Sequence, residues 1–452
     1  TDNGSSSGDG SSGEPVREIQ DAIDIAAAGD TVLVLPGTYD RADDQELYFK
    51  YTSGVNDGDP KNIVLKSRDG AAVTILDGEG NKSLFEITDE TDTTLQIIGF
   101  TIYNGGGDGE YNSSGSAVQI LGGGGPSGVT FRNCIFTETT SENPVIYGHN
   151  ANARFFDCEI KNNTVNTVST GETGFAVITF GPLSNVNINR CKITDNTTIA
   201  GNWAQGGAMF FLGLETNVKV INSIIANNSA LVENSPGSPA LGGAFCIDWG
   251  GVNVTVINCT IVGNTADNDD GDNESGGVAS IISNNNPSNF TVLNSIMTDN
   301  YPDNNPFDYN NNTELRVSYS FITGIEDVGD YEDGVYNFEP DFLDSTYALH
   351  PRSRAIGAGV VEEEDAEDNE IFAPTIDLLG NARPNPADSN PDLGAYEHEL
   401  AVTAYPAIVE EVTATPLHRS VLVEWDYHEE DDVTSYIAYM SEDENSIFTA
   451  ID

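Results

Sequence analysis

His149, Arg154, Lys161 and Lys192 are the residues best suited to catalysis in this chain. A polysaccharide lyase removes a proton from a sugar ring with a base and neutralises the adjacent carboxylate with cations. These four provide a base and cations within one stretch. On stacked turns, Arg132 is expected near Arg154, and Lys161 near Lys192. Equally, outward basic residues can simply temper an acidic surface. A glycoside hydrolase would need two carboxylates at fixed separation. Asp195, Asp248, Asp269 and Asp270 are available, but acids are so abundant that coincidence explains any pair. No GxSxG elbow, HExxH, CxxC or phosphate loop occurs.

A second group could bind rather than react. Trp203 lies between strand-like segments, and Trp249 follows Asp248 just after one. Flat indole faces stack on sugar rings, and they also cover apolar core. A third group is the run DNDDGDNE, which places Asp267, Asp269, Asp270, Asp272 and Glu274 around Gly271. Hard oxygen ligands at alternating spacing suit Ca²⁺. No Glu occupies the twelfth position that an EF-hand loop requires, so a solvated acidic turn competes with a calcium loop. No cofactor is required by these readings; Ca²⁺ is the one cation they would use. The run EEEDAEDNE at 362–370 reads as solvated.

Composition limits the partners. The 452 residues carry 18 Lys and Arg against 72 Asp and Glu, a formal net charge of −54. That excludes direct electrostatic binding of nucleic acid, which needs a basic face. It also opposes attraction to anionic lipid. Hydrophobic residues make up 38%, enough for a core. No apolar run is long enough to span a bilayer. Such an acidic excess suits a saline, marine or extracellular setting where salt screens self-repulsion. The five cysteines, Cys134, Cys158, Cys191, Cys246 and Cys259, lack the spacing of a disulfide framework.

The elements that must position these groups repeat. VTFRNCIF begins at Val129, ARFFDCEI at Ala153, VNINRCKI at Val186 and VKVINSII at Val218. VTVINCTI at Val254, FTVLNSIM at Phe290 and LRVSYSFI at Leu315 continue the series, with starts 24 to 36 residues apart. That is a solenoid spacing. Within a repeat Val186 and Ile188 face one way, Asn187 and Asn189 the other. A one-residue offset then demands a corner at Asn133, Asp157, Arg190, Asn222, Asn258, Asn294 and Tyr319. Asn and Asp dominate there because they tolerate the left-handed backbone. The next residue is small (Cys134, Cys158, Cys191, Ser223, Cys259, Ser295, Ser320), and a large apolar one follows two positions on. Asn163, Asn196, Asn228, Asn264 and Asn300 come three positions later. Like residues at like positions predict turns stacked about 4.8 Å apart, with the cysteines as inert interior fillers. A second strand follows a variable loop, as in GGAMFFL from Gly206 and GGAFCI from Gly242. Variable loops on one flank of a rigid ladder are where binding residues are expected.

A solenoid needs a capped end. Val16, Ile19, Ile23 and Ala26 recur at helical spacing in 14–29, with Pro15 suited to a first turn, and TVLVLPGTY reads as the first strand. The segment IQDAIDIAAAGDTVLVLPGTY resembles the entry of the pectin-lyase-like right-handed parallel β-helix superfamily. DFLDSTYALHPRSRAIGAG and TIDLLGNARPNPADSNPDLGAYEHE are similar to the terminus of secreted bacterial choice-of-anchor Q domain proteins. The resemblance covers about 14–399 and implies a right-handed helix, secretion and a bacterial source. It leaves activity open, since the superfamily holds lyases, hydrolases, epimerases and adhesins. The paired-Asp, Gly-His-Gly and Arg-Ile-Lys signatures of its polygalacturonase branch are absent. After Ala404 the pattern changes and resembles the first half of a fibronectin type III domain, with Trp425 as its core tryptophan and Tyr436 and Tyr439 on the next strand.

The expected architecture is all-β: a three-strand-per-turn right-handed parallel β-helix with an N-terminal capping α-helix, followed by a small β-sandwich segment. Its divisions are a flexible linker (1–13), the β-helix (14–345), a C-terminal cap and acidic linker (346–403), and a partial fibronectin-like domain (404–452) of a longer protein. The expected function is a secreted or cell-surface adhesin, matrix or structural module that binds a polysaccharide or cell-surface glycan on its loop flank. A polysaccharide lyase or hydrolase is the first alternative, and a self-associating filament subunit the second.

Overall fold

The computed structural model describes residues 8–40, 47–49, 59–106, 115–324 and 334–402, apart from 269–273 and single positions, together with short strands beyond 412. The chain winds as a parallel β-solenoid. Two ten-stranded sheets and a nine-stranded sheet run its length. Sheet 1 contains Ala151–Phe156, Asn185–Asn189, Thr216–Ile221 and Val252–Ile257. Sheet 2 contains Glu159–Lys161, Lys192–Thr194, Ile224–Ala226 and Thr260–Val262. Sheet 3 contains Ile146–His149, Ile178–Phe180, Met209–Leu212 and Phe245–Asp248. Corresponding strands pair in parallel and in register, so Val186 lies over Ala153 and under Val218.

The corners follow the chemistry expected of them. Asn133, Asp157, Arg190, Asn222, Asn258, Asn294 and Tyr319 all adopt positive φ, between 42° and 56°. The small residue after each is buried, and the Ser hydroxyls make a ladder: Cys191 and Cys259 donate their backbone N–H to Ser223 and Ser295 Oγ. Cys134, Cys158, Cys191 and Cys259 occupy this interior column, whereas Cys246 is buried on the outer side of sheet 3 beside Leu241. Burial pushes the Cys259 thiol up to about 12, so it stays protonated.

Asn163, Asn196, Asn228, Asn264 and Asn300 form an interior ladder at the corner leaving sheet 2. Each Nδ2 donates to the next Oδ1 at 2.9–3.0 Å. Asn228 also donates to Ile193 O, and its Oδ1 accepts the Asn196 backbone N–H. A buried amide is tolerated only when so fully satisfied.

The cap helix, α1, is shorter than the periodicity suggests, spanning Ile19–Ile25, with Ile19 and Ile23 buried. Pro15 lies ahead of it. Buried Lys61 donates from Nζ to Ile23 O and Asp24 O, closing the helix's carbonyl end. TVLVLPGTY divides into two strands, Thr31–Val34 and Gly37–Asp40, because Leu35-Pro36 turns the first corner.

The insertions after the Asn ladder are not irregular loops. They stack into a five-stranded arm sheet, including Thr197–Ala200 and Ser229–Val232, and a four-stranded one, including Ala204–Gln205 and Ala240–Leu241. Small residues Ala200, Ala204, Ala230, Ala240 and Ala266 fill the space between them with Val232. The middle turns therefore carry two arm strands in addition to the three strands of the frame.

Residues 346–402 return along the outer face of sheet 2. On early turns that face bears Glu159 and Lys192; on later turns it bears Ile224, Thr260 and Ile296, which the returning segment covers. The corner asparagines grip it: Asn222 Nδ2 donates to Ile376 O, Asn258 Nδ2 to Asp392 O, and Asn294 Nδ2 to Val360 O. Inside this clasp a fully buried Arg383 donates to Glu397 at 2.8 Å and to Asn222 Oδ1 at 3.1 Å. Buried Asp377 and Asp392 accept backbone N–H groups from Leu379, Asn381 and Glu397, and from Gly357 and His398. Desolvation, then the charge of Glu397, raises Asp392 to about 7. Residues 346–402 thus form the clasp. Beyond it, two antiparallel pairs are described, Thr413–Leu417 with Ser420–Glu424 and Ala438–Met440 with Thr449–Ile451. Trp425 and Tyr436 lie outside the described residues.

Candidate functional site

The four residues suited to lyase chemistry do not converge. Arg154 is exposed on the outer face of sheet 1, directly over Thr130 and under Asn187. Lys161 and Lys192 face outward from sheet 2, beyond the Asp157 corner. The register sets Lys192 over Glu159, and Lys161 under Thr194 rather than under Lys192. Lys161 Nζ pairs with Glu159 at 2.5 Å. Arg132 lies over Phe156, its guanidinium 4.2 Å from the ring centroid, and not over Arg154. Arg190 and Asp157 form a bidentate pair at 2.7 and 2.8 Å. His149 ends its sheet 3 strand, exposed, beside the Asn150 corner.

The acidic run divides between two arm sheets. Asp267 is exposed on strand Thr265–Asn268, and Glu274 opens strand Glu274–Ser275. Asp269, Asp270 and Asp272 lie outside the described residues. Among the described residues, no group of three or more His, Cys, Asp or Glu is arranged to hold a metal ion. The 362–370 run is partly engaged: Arg316 donates to Asp365 O and reaches Glu363, which pins a hairpin of Glu362–Glu364 and Glu370–Phe372 against sheet 1.

The tryptophans sit on different flanks. Trp203 is exposed between strands of the two arm sheets, its carbonyl accepting the Gly174 N–H. Trp249 lies at the corner from sheet 3 to sheet 1 and is 66% exposed, the most exposed aromatic side chain among the large hydrophobics described. Its φ is +72°, a left-handed conformation costly for a non-glycine residue. Asp248 holds it there. One carboxylate oxygen accepts the Trp249 backbone N–H at 2.7 Å, and the other accepts a hydrogen bond from Gln205 Nε2 at 3.2 Å. Asp248 is therefore a positioning residue for the indole.

Trp249 borders a groove of about 510 Å³ with Pro182, Gly213, Leu214, Asn284 and Asn286. These residues come from the same corner on successive turns, and Leu183 and Leu214 are exposed beside it. A Cβ on Gly213 would lie 2.4 Å from Pro182 Cγ, and one on Gly251 would lie 2.9 Å from Leu214 Cδ2. Glycine keeps the groove floor closely packed. A larger cleft, about 710 Å³, is the seam between α1 and the first sheet 1 strand. Trp249 is legible in the sequence but its partners are not, because Pro182 and Leu214 look like ordinary turn residues until the stacking aligns them.

Fold and site together define a parallel β-solenoid with an apolar, aromatic groove along one corner. The chain is similar in fold to a crystal structure of pectate lyase Pel9A, with TM-score 0.37 and 15% identity over 88% of this chain and 94% of that one. It is also similar to XylC in complex with xylose, with TM-score 0.39 and 9% identity over 87% of this chain and 97% of that one. No family model matches the chain, and no curated protein matches it.

Proposed function

We propose that this chain is an extracellular or cell-surface solenoid that binds glycan without turning it over, serving as an adhesin or matrix module. The observation that carries the reading is Trp249: exposed, strained, and held by Asp248 over a groove of stacked apolar corners. Strain at an exposed aromatic is a feature of binding sites rather than of core packing. The fibronectin-like reading of 404–452, secretion and the bacterial source belong to the same proposal. No helix among the described residues is long and apolar enough to cross a membrane.

A lyase reading has one observation in its favour. Arg154, Asn187 and Lys219 share one outward column of sheet 1. Against it, Lys161 lies on sheet 2, beyond the corner from that column, and Lys161 and Arg190 are engaged by Glu159 and Asp157. Incubation with alginate, pectate, chondroitin and neutral glycans, with and without CaCl₂, distinguishes the two. Binding without new absorbance near ~235 nm or reducing ends supports the proposal. Sustained turnover lost in Arg154→Ala or Lys192→Ala overturns it.

A further inference from the structure

The outer face of sheet 1 carries a second row of asparagines: Asn152, Asn185, Asn217, Asn253 and Asn289, each directly over the last. Each Nδ2 donates to the Oδ1 of the preceding turn, at 3.1, 3.4, 3.1 and 3.1 Å. An Asn amide has two N–H donors and about two acceptor sites. Stacking uses one of each at Asn185 and Asn253, so each amide turns spare donor and acceptor capacity toward solvent. The row ends where Asn289 Nδ2 also donates to Glu367 at 3.0 Å.

This row runs beside the groove. Leu183 precedes Asn185, Leu214 precedes Asn217, Trp249 precedes Asn253 and Asn286 precedes Asn289 by two to four residues. An apolar strip of three turns, Leu183, Leu214 and Trp249, ended by Asn286 on the fourth, therefore lies beside the amide strip. The turn spacing of about 4.8 Å is close to the length of one ring in an extended sugar chain. A pyranose has an apolar C–H face and a hydroxyl rim, which match the two strips. The amides are neutral, and a chain of net charge −54 repels polyanions.

The geometry points to a neutral, extended, linear glycan lying along the solenoid axis, about one ring per turn from Asn185 to Asn289. This rests on the glycan-binding reading and adds the direction, length and charge class of the ligand. The experiment is calorimetric titration of the full chain with neutral β-1,4-linked oligosaccharides of two to six units, against oligogalacturonates of matched length. Affinity for the neutral series should rise roughly two- to tenfold per added unit, then level near the fourth or fifth. Asn185→Ala with Asn217→Ala should flatten that rise. Neutral-chain affinity that ignores length beyond two units, or tighter binding of oligogalacturonates, overturns this inference and leaves glycan binding standing. No heat from any sugar, with Trp249→Ala identical to wild type, overturns both.

Discussion

Two rows of asparagine run through this molecule with similar spacing and with Nδ2-to-Oδ1 chains of opposite direction, the interior one donating to the following turn and the exterior one to the preceding turn. The interior row, Asn163 to Asn300, is at most 5% exposed and also binds backbone carbonyls and N–H groups on both sides. The exterior row, Asn152 to Asn289, is half-exposed to exposed and keeps spare hydrogen-bonding capacity at Asn185 and Asn253, while Asn217 also donates to Glu215 O and Asn289 to Glu367. Buried amides must be satisfied within the fold, so the first row is structural. Water satisfies the second row, which leaves it available to a ligand that can replace water.

The largest effect expected from this contrast is in the interior row. Asn228→Ala removes bonds to Ile193 O, Asn264 and Asn196, and strands their partners in apolar surroundings. A loss of about 2–4 kcal/mol is expected by urea denaturation. A loss under ~1 kcal/mol would remove the distinction between the rows.

The corner asparagines are intermediate, because they satisfy a clasp that carries its own charges. Asp392 has an ordinary value of 3.8 and is raised to about 7 in the fold. Between those values the folded state holds more protons than the unfolded one. Stability therefore falls as pH rises from 3.8 to about 7, by up to about 1.4 kcal/mol per pH unit, and this contribution is flat outside that window. Burial raises Glu397 as well, in the same sense. Asp392→Asn should flatten the slope; an unchanged slope would place its origin elsewhere.

On the exterior face the expected effects on stability shrink and change sign. Trp249→Gly relieves the left-handed strain and should gain about 1 kcal/mol while abolishing glycan binding. A destabilised Trp249→Gly would mean that the indole packs rather than binds. Asn217→Ala should change stability by no more than ~0.5 kcal/mol, measured by the same denaturation.

Much of this was legible in the chain. Corner residues announced themselves by type, and even Tyr319, with no propensity for the role, fell in place by position. The interior row was legible because its asparagines recur after the apolar residue. The exterior row was not, since Asn185 and Asn217 looked like the polar half of ordinary strand alternation. The arm sheets were hidden because TVN, TTIA and SALV are too short to show a period. The clasp was hidden for a different reason. Apolar residues at outward positions, Ile224 and Ile296, make sense only once the segment that covers them is known. Convergence of the basic residues failed because one corner separates Arg154 from Lys161.

Hydrogen–deuterium exchange with and without a neutral oligosaccharide tests the central claim most directly. Protection is predicted at 182–185, 213–217, 249–253 and 284–289, with the interior row unchanged. Protection confined to the arm sheets around Trp203, or to sheet 2 around Lys192, would contradict the account.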